Sequence, residues 1–282
     1  MGEATLAGDG WQAVTAGARG AAHAAAGRPS QDAARAARGH DGAAVVAVAD
    51  GHGHPQHFRS EAGAVLAVDA ACSQGLRRLP ALLAAAAQEP QPAVRRDFVP
   101  QLVEHWRAAV AGHLSQHPYT EPPADPLVPY GTTLVLAAVC PPWLLCLQIG
   151  DGDLLVVRRD GSSFAPVPQD RLLDGGRTTS LCQPDAAESV RIAAVDLRGA
   201  DVALVLLATD GYGNAQREDL WQPQVGADLA ALAAEHGPDW FAAQLPLWAE
   251  LCASGAGSGD DTTIALLLHL SVTPERRSPW TS

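Results

Sequence analysis

The sequence contains no lysine: all 19 of its basic residues are arginine. Schiff-base chemistry and the lysine of a phosphate-binding loop are therefore excluded. Cysteine is scarce, five residues in 282, an odd number with no Cys-x-x-Cys pair and no histidine at zinc-finger spacing. That pattern argues against a disulfide framework or a structural zinc site and reads as buried free thiols in a reducing cytoplasm. No apolar run is long enough to span a bilayer, and the N-terminus lacks the basic, apolar and small-residue succession of a signal peptide. The expected location is cytoplasmic. Positive charge is in deficit, 31 acidic against 19 basic residues, for a net charge of −12. Nucleic acid and anionic membranes repel such a surface and are disfavoured as partners. The excess acid suits a site that gathers carboxylates around cations; a solvated, solubilising surface is the plain alternative.

What is present supports a folded chain. With 47% hydrophobic and 18% charged residues it has the material for a substantial core, so disorder throughout is excluded. The length fits one large domain, expected over 1–273 with a short tail at 274–282. Strand character is predicted at 11–19, 45–49, 132–139, 143–149, 154–158, 202–208 and 262–270. Strands 132–139, 143–149 and 154–158 follow one another in the rhythm of an antiparallel meander. Helical spacing is predicted over 59–83, where Ser60 reads as a cap, and over 95–114, 228–235 and 240–251, with a proline-rich break at 89–92. Segment 169–188 lacks periodicity and is expected to be a mobile flap that shapes substrate choice. Many antiparallel strands with grouped helices indicate an α+β fold with helices packed on sheets.

Acidic residues recur where strands end or glycine turns fall: Gln31-Asp32, Asp50-Gly51-His52-Gly53, Gly150-Asp151-Gly152-Asp153, Thr209-Asp210-Gly211 and Asp260-Asp261-Thr262. Each alone reads as a common turn. Together they offer several hard oxygen ligands, as two adjacent divalent cations require, and such a pair can activate water while polarising a phosphoryl oxygen. Glycine after an aspartate lets the backbone come close to a metal.

The ordered set resembles the type-2C, or PPM, family of protein phosphatases, over roughly residues 10 to 270. The matching strings are Gly27-Arg28-Pro29-Ser30-Gln31-Asp32-Ala33, Val46-Ala47-Val48-Ala49-Asp50-Gly51-His52-Gly53 and Tyr130-Gly131-Thr132-Thr133-Leu134-Val135. They continue with Ile149-Gly150-Asp151-Gly152-Asp153-Leu154, Leu207-Ala208-Thr209-Asp210-Gly211 and Gly259-Asp260-Asp261-Thr262-Thr263-Ile264. The resemblance, to the bacterial subgroup, implies two packed antiparallel β-sheets flanked by α-helices, a four-layer αββα sandwich. It implies two divalent metal ions, Mn2+ or Mg2+, and a weaker third. Asp50 would bridge the pair, Gly51 would offer its carbonyl, and Asp210, Asp260 and Asp32 would complete the ligands. Asp260 is preferred to Asp261 because it stands three residues before Thr263. Asp151 would hold the third metal, with a turn cap as the competing reading. His52 would donate a proton to the leaving alkoxide.

The sequence also departs from the family pattern. Gln31 stands where many members have glutamate, so that position supplies no charge. The usual phosphate-binding arginine is absent at Gly27; Arg28, one residue along, and His23 are the candidates to meet phosphate, and Arg28 also reads as a surface charge. His54 and His57 read as loop histidines, and Gly131-Thr132-Thr133 as the start of a strand without chemistry. The implied activity is hydrolysis of phosphoserine or phosphothreonine in proteins by a water or hydroxide bridging the two metals, opposing a serine/threonine kinase. The alternatives are a catalytically weak relative that binds phosphoproteins or regulates a partner, a two-metal phosphohydrolase acting on nucleotides or nucleic acid, and a structural protein with carboxylates in turns.

Overall fold

A computed structural model of the chain describes residues 10–39, 42–86, 88–168, 170, 178–217 and 220–270; the tail expected at 274–282 lies outside them. Ten strands are found among these residues: β1 Trp11–Ala18, β2 Asp32–Arg38, β3 Ala44–Asp50, β4 Leu134–Cys140, β5 Trp143–Ile149, β6 Asp153–Arg158, β7 Ser163–Phe164, β8 Arg191–Asp196, β9 Val202–Ala208 and β10 Thr262–His269. They form two five-stranded sheets, ordered β1-β10-β9-β6-β7 and β2-β3-β4-β5-β8, with every pairing antiparallel.

The central strands are apolar on both faces because both faces are covered. In β3, Val46 and Val48 point into the space between the sheets, where they meet Leu207 of β9 and Leu267 of β10. Val45, Ala47 and Ala49 of the same strand point outward beneath the helices Ser60–Ala86 and Val99–Gln116, in a cluster that holds Trp106 and Leu102. On the far side, Leu204, Leu206 and Leu266 meet Leu229, Phe241 and Leu245 of the helices Gln222–Glu235 and Pro238–Ala253. The result is the expected sandwich of helices, sheet, sheet and helices. No helix among the described residues is long and apolar enough to cross a membrane. The five cysteines are free, and all but Cys252 are buried.

Several elements differ from the sequence-based expectation. The meander stops after β4 and β5: the turn at 150–152 hands the chain to the other sheet, where β6 pairs with β9 and β7. Strand β2 was not expected, since its sequence DAARAAR lacks the β-branched and aromatic residues that mark a strand; its small alanines pack on both core layers. The proline-rich break begins a helical turn instead, Pro90–Ala93, with proline at the first position, where its missing N–H costs nothing. Ser60 opens its helix without capping it by its hydroxyl, which accepts a hydrogen bond from Gln31 Nε2.

Candidate functional site

The sandwich brings the acidic motifs to one end. Asp32 opens β2 and Asp50 closes β3, and the two are register partners across the ladder. Asp210 stands two residues past the end of β9, and Asp260 and Asp261 lie just before β10. The turn between β5 and β6 delivers Asp151. Both sheets therefore contribute carboxylates to one cleft of about 1120 Å³, whose walls include His23, Arg28, Asp50, Gly51 and His52. Asp151, Asp210 and Asp260 line it as well. Asp32 is not among the lining residues but is paired with Asp50 across the β2–β3 ladder.

The backbone around Asp50 is held on every side. Its N–H donates to Thr133 Oγ1 at 3.0 Å, while its carbonyl accepts from Thr132 Oγ1 at 2.9 Å and from the Thr133 N–H at 2.8 Å. The Thr132-Thr133 pair, read in the sequence as structural only, thus fixes the height of Asp50. The Gly51 N–H donates to the Gln31 carbonyl at 3.1 Å, and that of His52 to the Gly131 carbonyl at 3.1 Å. A Cβ on Gly51 would lie 2.7 Å from the Gln31 and Ser60 carbonyl oxygens, so the glycine is required by neighbouring backbone as much as by any metal.

Electrostatically the cluster is crowded with like charge. Burial pushes Asp32 up to about 8, and the charges of Asp261 and Asp210 add to the shift. Asp50 is held well above the ordinary carboxylate range by burial and by Asp32, Asp210 and Asp151. Asp210 is raised by burial and by Asp151. Asp210 is among the like charges that raise Asp50, so the two carboxylates repel each other when both are ionised. Asp32 Oδ2 accepts from Thr209 Oγ1 at 2.7 Å, but Asp32 Oδ1 and Gln31 Oε1 are shut off from solvent with no hydrogen-bond partner. Among the described residues no group of three His, Cys, Asp or Glu is already gathered in a form that could hold a metal ion. The donor chemistry nonetheless fits hard divalent cations: orphaned oxygens and mutually repelling carboxylates are what a cation between them would relieve.

The remaining expected residues separate by environment. Asp260 is exposed, and its Oδ1 accepts only the Asp261 N–H, at 2.8 Å. Asp261 is buried and its oxygens are taken by three donors: Gly20 N–H, Gln31 N–H and His23 Nδ1, each at 2.7 Å. Burial and the nearby His57 push His52 down to about 4, so its imidazole is neutral at pH 7. Arg28 is an exposed side chain at the rim. Of the expected flap, Asp170 and 178–188 are described, and the latter stretch borders the cleft but is tied down. The Leu181 N–H and Ser180 Oγ donate to the Thr132 carbonyl at 3.0 and 3.1 Å, and the Gly150 N–H donates to Thr179 Oγ1 at 2.9 Å. Residues 169 and 171–177 lie outside the described residues. Sequence reasoning passed over Asp153, which burial and Asp210 raise to about 7 beside a smaller acidic recess shared with Asp151. Its signal was the second aspartate of Gly150-Asp151-Gly152-Asp153, which was given no role of its own beside Asp151.

Residues 19–246 match the family model described as protein phosphatase 2C. The chain belongs to the protein phosphatase 2C family, and its class is accordingly that of the protein serine/threonine phosphatases. No curated protein matches the sequence. Among solved structures, the fold is similar to the serine/threonine phosphatase Stp1 from Staphylococcus aureus, at a TM-score of 0.62 and 14% identity, over 96% of this chain and 100% of that one. It is similar to the catalytic domain of the serine/threonine protein phosphatase PstP, in complex with 2 manganese ions, at 0.56 and 19%, over 93% and 99%. PppA, a regulatory component of T6SS in Pseudomonas aeruginosa, aligns at 0.56 and 19%, over 95% and 100%.

Proposed function

We propose that the chain hydrolyses phosphoserine and phosphothreonine esters in proteins with a pair of divalent ions, manganese or magnesium, held in this cleft. The observation that carries the reading is the meeting of Asp50, Asp151, Asp210 and Asp260, delivered by both sheets, in the wall of one cleft. Asp50, Asp32, Asp210, Asp260 and the Gly51 carbonyl are the groups that would hold the pair, and Asp151 a weaker third ion. When bound, such ions polarise a phosphoryl oxygen and lower the pKa of water so that it serves as nucleophile.

The chain's own residues do the rest. Asp50, fixed by Thr132 and Thr133, keeps its carboxylate at the floor of the cleft. Arg28 and His23 meet the substrate phosphate from the rim. His52 donates a proton to the departing serine or threonine oxygen; the arriving phosphate dianion favours the imidazolium that burial alone disfavours. The catalytic unit is read as one domain over 1–273, acting in the cytoplasm on phosphoproteins made by a serine/threonine kinase.

Phosphate release from a phosphothreonine peptide in the presence of manganese tests the reading, with Asp210→Asn as control. The expected result is turnover of the peptide, little release from nucleotides, and loss of activity in the variant. Manganese binding without turnover would favour the catalytically weak, phosphoprotein-binding alternative, for which Gln31 and the neutral His52 are the motives.

A further inference from the structure

Asp261 stands beside a proposed metal ligand, yet its surroundings give it other work. Its side chain is 3% exposed, and that of His23, whose Nδ1 it contacts at 2.7 Å, is 9% exposed. Because a carboxylate only accepts, His23 Nδ1 carries the hydrogen of that contact, and the ring's orientation is fixed by it. His23 Nε2 has no hydrogen-bond partner among the described residues, and His23 lies in the cleft wall. The same carboxylate accepts from the N–H groups of Gly20 and Gln31, the two ends of the segment that carries His23 and Arg28. The approach is close: the Ala22 N–H donates to the Gly259 carbonyl at 3.0 Å, and a Cβ on Gly20 would fall 2.4 Å from the carbonyl carbon of Asp260. Asp261 therefore fastens the whole segment 20–31 to the turn that bears Asp260.

We propose that Asp261 is a positioning residue for the substrate phosphate. It holds His23 with Nε2 toward the cleft, so that this nitrogen donates to a phosphoryl oxygen where the sequence has no arginine at Gly27. The proposal rests on the phosphatase reading for its substrate and deepens it: the phosphate-binding element is a carboxylate–imidazole pair, with Asp261 outside the metal shell. A buried carboxylate whose oxygens already serve three donors is poorly placed to give them to a cation.

The test compares His23→Gln, Asp261→Asn and their double variant with the unmodified protein. Three readouts are taken: KM and kcat on a phosphothreonine peptide, inhibition by inorganic phosphate, and manganese affinity by calorimetry. Each single variant is expected to raise KM and weaken phosphate inhibition by about tenfold, the size of one hydrogen bond to a charged group. Manganese affinity should stay within about twofold, and the double variant should be no worse than either single one, as for residues that act as a unit. Loss of manganese affinity in Asp261→Asn, or additive effects in the double variant, would overturn the proposal, as would unchanged KM and phosphate inhibition in His23→Gln. His23→Gln leaves the Gly20 and Gln31 ties intact, so it decides the matter even where Asp261→Asn folds poorly. If the unmodified protein does not turn over the peptide, the phosphatase reading fails separately, and phosphate binding to the manganese-loaded protein still tests the pair.

Discussion

His52 and Asp50 sit two residues apart in one turn, and burial moves them in opposite senses, His52 down to about 4 and Asp50 upward. Desolvation disfavours charge on either group, so each is neutral more readily than it would be in water. The proton donation proposed for His52 is testable by substitution. In His52→Gln, kcat on a phosphothreonine peptide should fall by about a hundredfold or more, the usual worth of a positioned acid. On p-nitrophenyl phosphate, whose leaving group departs without a proton, the loss should be much smaller. Equal losses on both substrates, measured side by side, would remove His52 from the acid role. At this scale much was legible: the residues at 23, 28, 50, 51, 52, 151, 210 and 260 all line one cleft. What stayed hidden was partnership. Nothing in the string Asp260-Asp261 tells which carboxylate is exposed and which is consumed by Gly20, His23 and Gln31, because those donors lie more than 200 residues away in sequence.

The elements explain why the site is where it is. β2, β3, β9 and β10 all meet the cleft at one end, so four loops converge without any one of them being long. Strands with continuous apolar runs, such as Val202–Ala208 and Leu134–Cys140, were readable because burial on both faces selects for them. β2 was not, for the alanines and arginines of Asp32–Arg38 carry no strand signature, and in β8, Arg191–Asp196, the β-branched Ile192 and Val195 are too few to mark a strand; both are fixed by their neighbours in the ladder. The crossing from β5 to β6 was missed for a related reason. A short glycine turn between two apolar strands looks the same whether they pair with each other or with different sheets. Only the register of β6 against β9 decides it, and that register places Asp153 opposite Ala208, two residues before Asp210.

For the whole molecule, the carboxylate end is a stored instability that metal would release. An acid whose native pKa is raised binds protons more tightly when folded than when unfolded, so stability falls as pH rises between the two values. For Asp32 that window runs from the ordinary carboxylate range, 3.8, up to about 8. The metal-free protein in EDTA should therefore melt at a lower temperature at pH 8 than at pH 5.5. Manganese should raise the melting temperature more at pH 8, where the carboxylates must otherwise carry their charges unpaired. A manganese-induced shift that is the same at both pH values would show that these groups are not its ligands.

The most direct measurement is a calorimetric titration of manganese into the unmodified protein and into Asp50→Asn. The account predicts two tight sites per chain and loss of that binding in the variant, since Asp50 is the carboxylate proposed to serve both ions. No manganese binding by the unmodified protein, or the same binding in Asp50→Asn, would contradict it.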